Sequence, residues 1–202
     1  MNEAHIVIDC SGGMLEMGKA AAISGIASAA FSYASQMLAP MDKAWLLHVY
    51  DWKAHIYEVM TPNELQFGGG RASLDKLAEA VMSLSGRHAS VLVATDGLFG
   101  QCDIDSFKRK VSECGAPISW IACGADADIE AISSLACCGG KAFGPCGILA
   151  ALQMAFFPLE PLQKKSEDVQ NIGANQDEVL GEGRDTATSA AQSYTEDAPS
   201  EA

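Results

Sequence analysis

The chain is 202 residues long, with 49% hydrophobic residues and a formal net charge of -13. That length suits one domain with an appendage, and the acidity argues against a phosphate backbone as partner. The one cationic run, Lys108-Arg109-Lys110, reads as a solvated helix face. No apolar stretch reaches the ~20 residues of a membrane span, and residues 1–5 lack the basic cluster and apolar run of a secretory signal. No nucleic acid and no membrane is therefore expected as partner. Seven cysteines without a CxxC pair, several inside apolar runs, predict free thiols in a reducing compartment, hence a cytoplasmic protein.

In chain order, His5–Asp9 reads as a short buried strand ending in a carboxylate, and Ser11-Gly12-Gly13 as a turn. Residues 17–38 read as a helix rich in small residues, stopped by Pro40. Lys43–Tyr50 and His55–Met60 form two strands around a hairpin turn at Asp51-Trp52-Lys53-Ala54, which leaves Trp52 exposed. Gly68-Gly69-Gly70 is a loop, and Ser73 caps a helix running to about Leu84. Ser90–Thr95 is a continuous apolar strand ending at Asp96-Gly97. A helix follows from Asp103 or Asp105 to Cys114, then a strand at Pro117–Cys123 and a helix at Asp128–Leu135. A strand at Lys141–Phe143 and a helix at Gly147–Phe157 close the series. His5 and His48 are expected at the edge of the core, and the four histidines show no ligand spacing.

Strands alternating with helices predict an α/β, Rossmann-like, doubly wound sheet. It has six strands and is mostly parallel, with one antiparallel edge strand. The domain spans 1–160. Residues 161–202 carry nine acidic residues against three basic ones and few apolar residues, which predicts an acidic disordered tail.

Three stretches are expected to meet at the carboxyl ends of the strands, where such sheets bind ligands. They are Asp9-Cys10-Ser11-Gly12-Gly13, Gly68 to Ser73, and Thr95-Asp96-Gly97. Their carboxylate and hydroxyl oxygens suit a hard cation, Mg²⁺ or Mn²⁺.

Asp9-Cys10-Ser11-Gly12-Gly13-Met14 resembles the DxSGSM start of the metal-ion-dependent adhesion site of von Willebrand factor A (vWA) domains, and Val91–Gly97 resembles the apolar strand ending in TDG. With Ile118 to Phe143, the resemblance covers residues 4–157. The middle, from Val49 to Gly70, is similar to vWA-like domains that bacteria and phages join to putative metallopeptidase domains; without an HExxH, no peptidase is implied. The resemblance implies a protein-interaction module in which a divalent cation helps to bind a partner's carboxylate. It carries ligand roles onto Asp9, Ser11 and Asp96. Ser73 stands in for the threonine that follows the Gly-rich loop, and Gly13 stands where the family has a second serine.

Met14, Arg71, Leu98 and Phe99 are the candidate partner-binding residues. Arg71 is also a candidate to replace the metal by pairing with Asp9 or Asp96, and both carboxylates alternatively serve as helix caps. A metal-dependent phosphohydrolase or phosphotransferase using Asp9 is the competing reading, weakened by Ser11 where a second Asp is wanted. The module is read as not an enzyme.

Overall fold

A computed structural model describes residues 2–38, 45–84 and 87–157. The segment expected to form the acidic tail lies outside the described residues. The six strands are β1 (Asn2–Asp9), β2 (Trp45–Trp52), β3 (Ile56–Val59), β4 (Ala89–Thr95), β5 (Ile118–Ala122) and a two-residue β6 (Ala142–Phe143), and five of them follow the expected positions. The exception is β2. It runs through Asp51 and Trp52, which had been assigned to the turn, and Trp52 is 0% exposed. The reason is local: the Trp52 indole donates to the Ser73 carbonyl at 3.1 Å, so the ring is drawn in with a satisfied N–H.

The sheet order is β3-β2-β1-β4-β5-β6, with every pair parallel except β2 with β3 at the edge. The chain winds outward from β1 to β3, then restarts at β4 on the other side of β1. The order therefore reverses between β1 and β4, and the crevice of such a sheet opens there.

Helices cover both faces. Even-numbered β1 residues Ala4, Ile6 and Ile8 pack with α1 (Lys19–Tyr33) and α5 (Ile148–Phe156) through Ile23, Ala27, Ala30, Leu152 and Phe156. On the other face, Val7, Val91, Val93 and Trp120 pack with α2 (Leu74–Met82), α3 (Gln101–Val111) and α4 (Ile129–Leu135) through Leu77, Val81, Phe107 and Ile132. β4 and β5 are buried along their whole length, as a sheet covered on both faces requires. The first helix starts at Lys19 rather than 17, because Met17 and Gly18 both take the left-handed conformation.

Candidate functional site

The three motif stretches meet at the carboxyl ends of β1 and β4. The amide of Gly12 donates to the Gly70 carbonyl at 3.2 Å, and the amide of Gly68 to the Cys10 carbonyl at 3.0 Å. These bonds tie the Gly-rich loop to the turn after β1. Gly68, Gly69 and Gly70 all have positive φ, a conformation open to glycine at little cost. The third stretch is joined through Thr95, whose hydroxyl donates to Asp9 Oδ2 at 2.7 Å. Sequence reasoning had given Thr95 no role of its own.

Asp9 is buried, and both its oxygens are engaged: Oδ1 accepts the Ser11 amide at 2.9 Å. Burial raises its pKa, against the hydrogen bonds from Thr95 and Ser11, and the nearby Asp96 charge adds to the rise. Asp96 is buried as well. Its Oδ1 accepts the Leu98 amide at 3.2 Å.

The other oxygen of Asp96 meets a residue that sequence reasoning had not considered. Lys19 Nζ donates to Asp96 Oδ2 at 2.9 Å and to Asp126 Oδ2 at 2.7 Å. The lysine side chain is 1% exposed, while that of Asp126 is 37% exposed. Burial works to lower the Lys19 pKa, but hydrogen bonds and charge from Asp126 and Asp96 outweigh it and hold the ammonium above its ordinary range. The signal for Lys19 was present in the sequence. It stands in the first turn of the helix read over residues 17–38, where the macrodipole disfavours a cation and a nearby carboxylate would offset the cost. Asp126, in the loop after β5, carried no signal at all.

The remaining predicted residues separate into two groups. Leu98 is exposed beside Asp96, and Phe99 is half-buried with its ring 5.9 Å from that of Trp52. Met14 is fully buried in the core and offers nothing to a partner; its neighbours Leu15 and Met17 are the exposed large apolar residues of that turn. Arg71 is exposed and lies 3.8 Å from Asp103, so its guanidinium turns away from Asp9 and Asp96. Ser73 caps α2, its hydroxyl accepting the Lys76 amide at 3.3 Å. Arg71 and Ser73 line a hollow of about 220 Å³ shared with Asp75 and Asp103. The loop thus presents these two side chains to α2 and α3 rather than to the strand ends.

These residues do not fit a divalent cation between Asp9 and Asp96. Both Asp9 oxygens and Asp96 Oδ1 are held by protein donors, and Asp96 Oδ2 already carries an ammonium. A doubly charged ion 4 Å from that ammonium would be opposed by about 8 kcal/mol at an effective dielectric of 20. Gly13 lies close to the same carboxylate: a Cβ there would stand in ordinary contact, 3.7 Å from Asp96 Oδ2.

A second cluster lies on β1 and β2, where Glu3, His5 and His48 bring potential ligand atoms within 4.8 Å of one another. His5 and His48 face each other in register, their rings stacked at 4.8 Å. The absence of a sequence spacing had hidden this pair, because strand pairing brought them together.

No family model matches the chain, and no curated protein matches it in sequence. Among solved structures, it is similar to an aerotolerance-related membrane protein from Bacteroides fragilis, at 11% identity and a TM-score of 0.56 over 77% of this chain and 98% of that one. It is also similar to the pilus adhesin SpaC from Lactobacillus rhamnosus GG, at 11% identity and a TM-score of 0.54, covering 76% of this chain and 29% of the adhesin. A third likeness is to proximal thread matrix protein 1 of the mussel byssus with a zinc-occupied MIDAS motif, at 12% identity and a TM-score of 0.51, covering 77% and 47%. The chain therefore has a vWA-like α/β fold.

Proposed function

We propose that this chain is a non-enzymatic interaction module whose protein partner docks an acidic side chain at the crevice between β1 and β4. The observation that carries this reading is the Lys19 ammonium, buried behind Asp96 but reaching Asp126, a carboxylate open to solvent. A cationic centre with one accessible acidic neighbour suits exchange with a carboxylate from outside. A charge-assisted bond of that kind contributes roughly 1.5–3 kcal/mol, too little for stable association by itself. Leu15, Met17 and Leu98 are exposed around the same strand ends and would supply apolar contact. Adhesion, the role named for SpaC, is a function of the same kind.

The phosphohydrolase reading is less well supported. A nucleophilic Asp9 needs a free oxygen facing solvent, and both of its oxygens are buried in hydrogen bonds. The seven cysteines, all free, support a reducing location such as the cytoplasm.

The test is capture of partners by wild-type chain and by Leu98→Ser and Met17→Ser, with folding checked by circular dichroism. Met60→Ser serves as control, an exposed residue just past the end of β3 that lies toward the amino end of β2. Partners lost by the first two variants and kept by the third support docking at the crevice. Equal retention by all would place the interface elsewhere.

A further inference from the structure

The route by which Lys19 reaches the strand ends is built into the backbone on both sides of it. On its own side, Met17 takes φ 51° and Gly18 φ 76° immediately before the helix. A left-handed methionine is uncommon and costs energy that surrounding structure must offset. The turn sets Lys19 at the start of α1, with its side chain directed back to Asp96. On the far side, Gly124 follows β5 at φ 105°, and a Cβ there would stand 2.9 Å from Lys19 Cε and 3.0 Å from Lys19 Cγ. The lysine stem thus runs through space that only glycine leaves open. A cation at a helix N-terminus, a left-handed methionine and a glycine passage each carry a local cost. They share one result, an ammonium between two carboxylates.

From this arrangement we infer that Lys19 is the resident cation of the crevice: it occupies by covalent tether the position where the vWA-like fold implies a divalent ion, and it presents one hydrogen-bonding position, now filled by Asp126, to an incoming carboxylate. Asp96 is the inner anchor, buried and held by the Leu98 amide as well as by Lys19. Asp126 is the outer ligand and the exchangeable one, since it is the more exposed of the two. Glycine at position 13 is consistent with this, because a site served by a lysine has no need of a second serine hydroxyl there. The role given to the incoming carboxylate rests on the docking reading above; the replacement of the metal does not.

The experiment uses Mn²⁺ alone as probe, with free ion measured by electron paramagnetic resonance as the full chain is titrated in. An ion at the crevice is defined by its loss in Asp96→Asn, which separates it from any ion held by Glu3, His5 and His48. Wild-type chain is expected to bind no Mn²⁺ at the crevice, so that any Mn²⁺ it takes up is bound equally by Asp96→Asn. Lys19→Ala removes the ammonium and leaves two carboxylates facing an open space, so it is expected to gain one Mn²⁺ that Lys19→Ala/Asp96→Asn loses. Crevice binding by the wild type would overturn the inference, as would a folded Lys19→Ala that binds none. Should Lys19→Ala fail to fold, the wild-type titration decides alone. Because the readout is ion binding by the isolated chain, its failure leaves partner docking open, and a failed capture experiment leaves this result standing.

Discussion

The two ends of β1 bury polar side chains by opposite means. At the carboxyl end, Asp9, Asp96, Lys19 and Asp126 are held by fixed charge and by hydrogen bonds to both oxygens of Asp9 and of Asp96. Toward the amino end, Glu3, His5, His48, Tyr50 and Glu58 form a chain of side-chain contacts in which the buried members, His5 and Tyr50, avoid charge. His5 Nδ1 lies 3.0 Å from the Tyr50 hydroxyl, and His48 Nδ1 2.7 Å from Glu58. Burial there lowers the His5 pKa, with the stacked His48 adding to it, and raises that of Tyr50 to about 12, so both favour the neutral form. The carboxyl end buries an ammonium among carboxylates; the amino end buries an imidazole and a phenol in their neutral forms. The first is the end proposed above to receive a partner, while at the second the lowered His5 pKa ties stability to pH.

The sharpest way to break this contrast is Lys19→Met, which keeps volume and removes the charge. It leaves Asp96 buried without its cation, and breaking a buried pair from one side typically costs about 3–5 kcal/mol. Denaturant unfolding at neutral pH should show a loss of that size. A loss under 1 kcal/mol, the scale of a surface pair, would mean that the cluster is solvated and is not the fixed array described.

Next comes Gly124→Ala. The positive φ alone costs about 1–3 kcal/mol for a side-chain-bearing residue, and the new Cβ would press on the lysine stem. In the Lys19→Ala background the contact with the lysine stem is gone, while the φ cost and the 2.9 Å approach to Asp126 Oδ1 remain, so the double-mutant cycle should show a coupling within the usual range of about 0.5–3 kcal/mol. Additive effects would mean that Gly124 does not shape the lysine's path.

Much of this was legible in the sequence, for reasons of period and order. Strands such as Ser90–Thr95 announced themselves as continuous apolar runs, and their alternation with helices fixed a parallel sheet with the reversal between β1 and β4. The meeting of Asp9 with Asp96 followed from that topology. The cation did not follow. Arg71 was expected because it neighbours the Gly-rich loop, but the guanidinium lies near Asp103 across the α2–α3 side. Lys19 and Asp126 stand 107 positions apart and meet only because α1 and the loop after β5 converge on one strand end. Met14 shows the converse: adjacent to the motif in sequence, it faces inward on a single 3₁₀ turn and is lost to the core.

A smaller effect sharpens the amino end. His5 has its folded pKa lowered from 6.5, by burial and by His48, against the pull of Glu3; Arg87 also opposes its protonation. Below 6.5 the unfolded chain therefore takes up a proton that the folded chain resists. The His5 contribution to stability is present above 6.5 and is lost as pH falls through the folded value. Wild type minus His5→Gln stability should accordingly decline from pH 7 to pH 5. A flat difference would show that the imidazole titrates as it does in the unfolded chain, and the neutral description of this end would fail.

The smallest change in stability, and the most informative about function, is expected from Asp126→Asn. The residue is partly exposed, so its loss leaves no buried charge unpaired: Lys19 keeps Asp96, and the asparagine amide oxygen still accepts a hydrogen bond from the ammonium. What changes is the competition. With aspartate present, an incoming carboxylate must displace a charged ligand at 2.7 Å from Lys19 Nζ; with asparagine it displaces a neutral one, which lacks the Coulomb attraction of an anion for the ammonium. If the crevice takes a partner's carboxylate, Asp126→Asn should retain crevice-dependent partners longer in a surface-binding experiment, chiefly through slower dissociation, and Asp126→Glu should restore wild-type behaviour. Weaker retention by Asp126→Asn would mean that Asp126 itself contacts the partner, and the lysine would then serve to position that aspartate rather than to receive a carboxylate from outside.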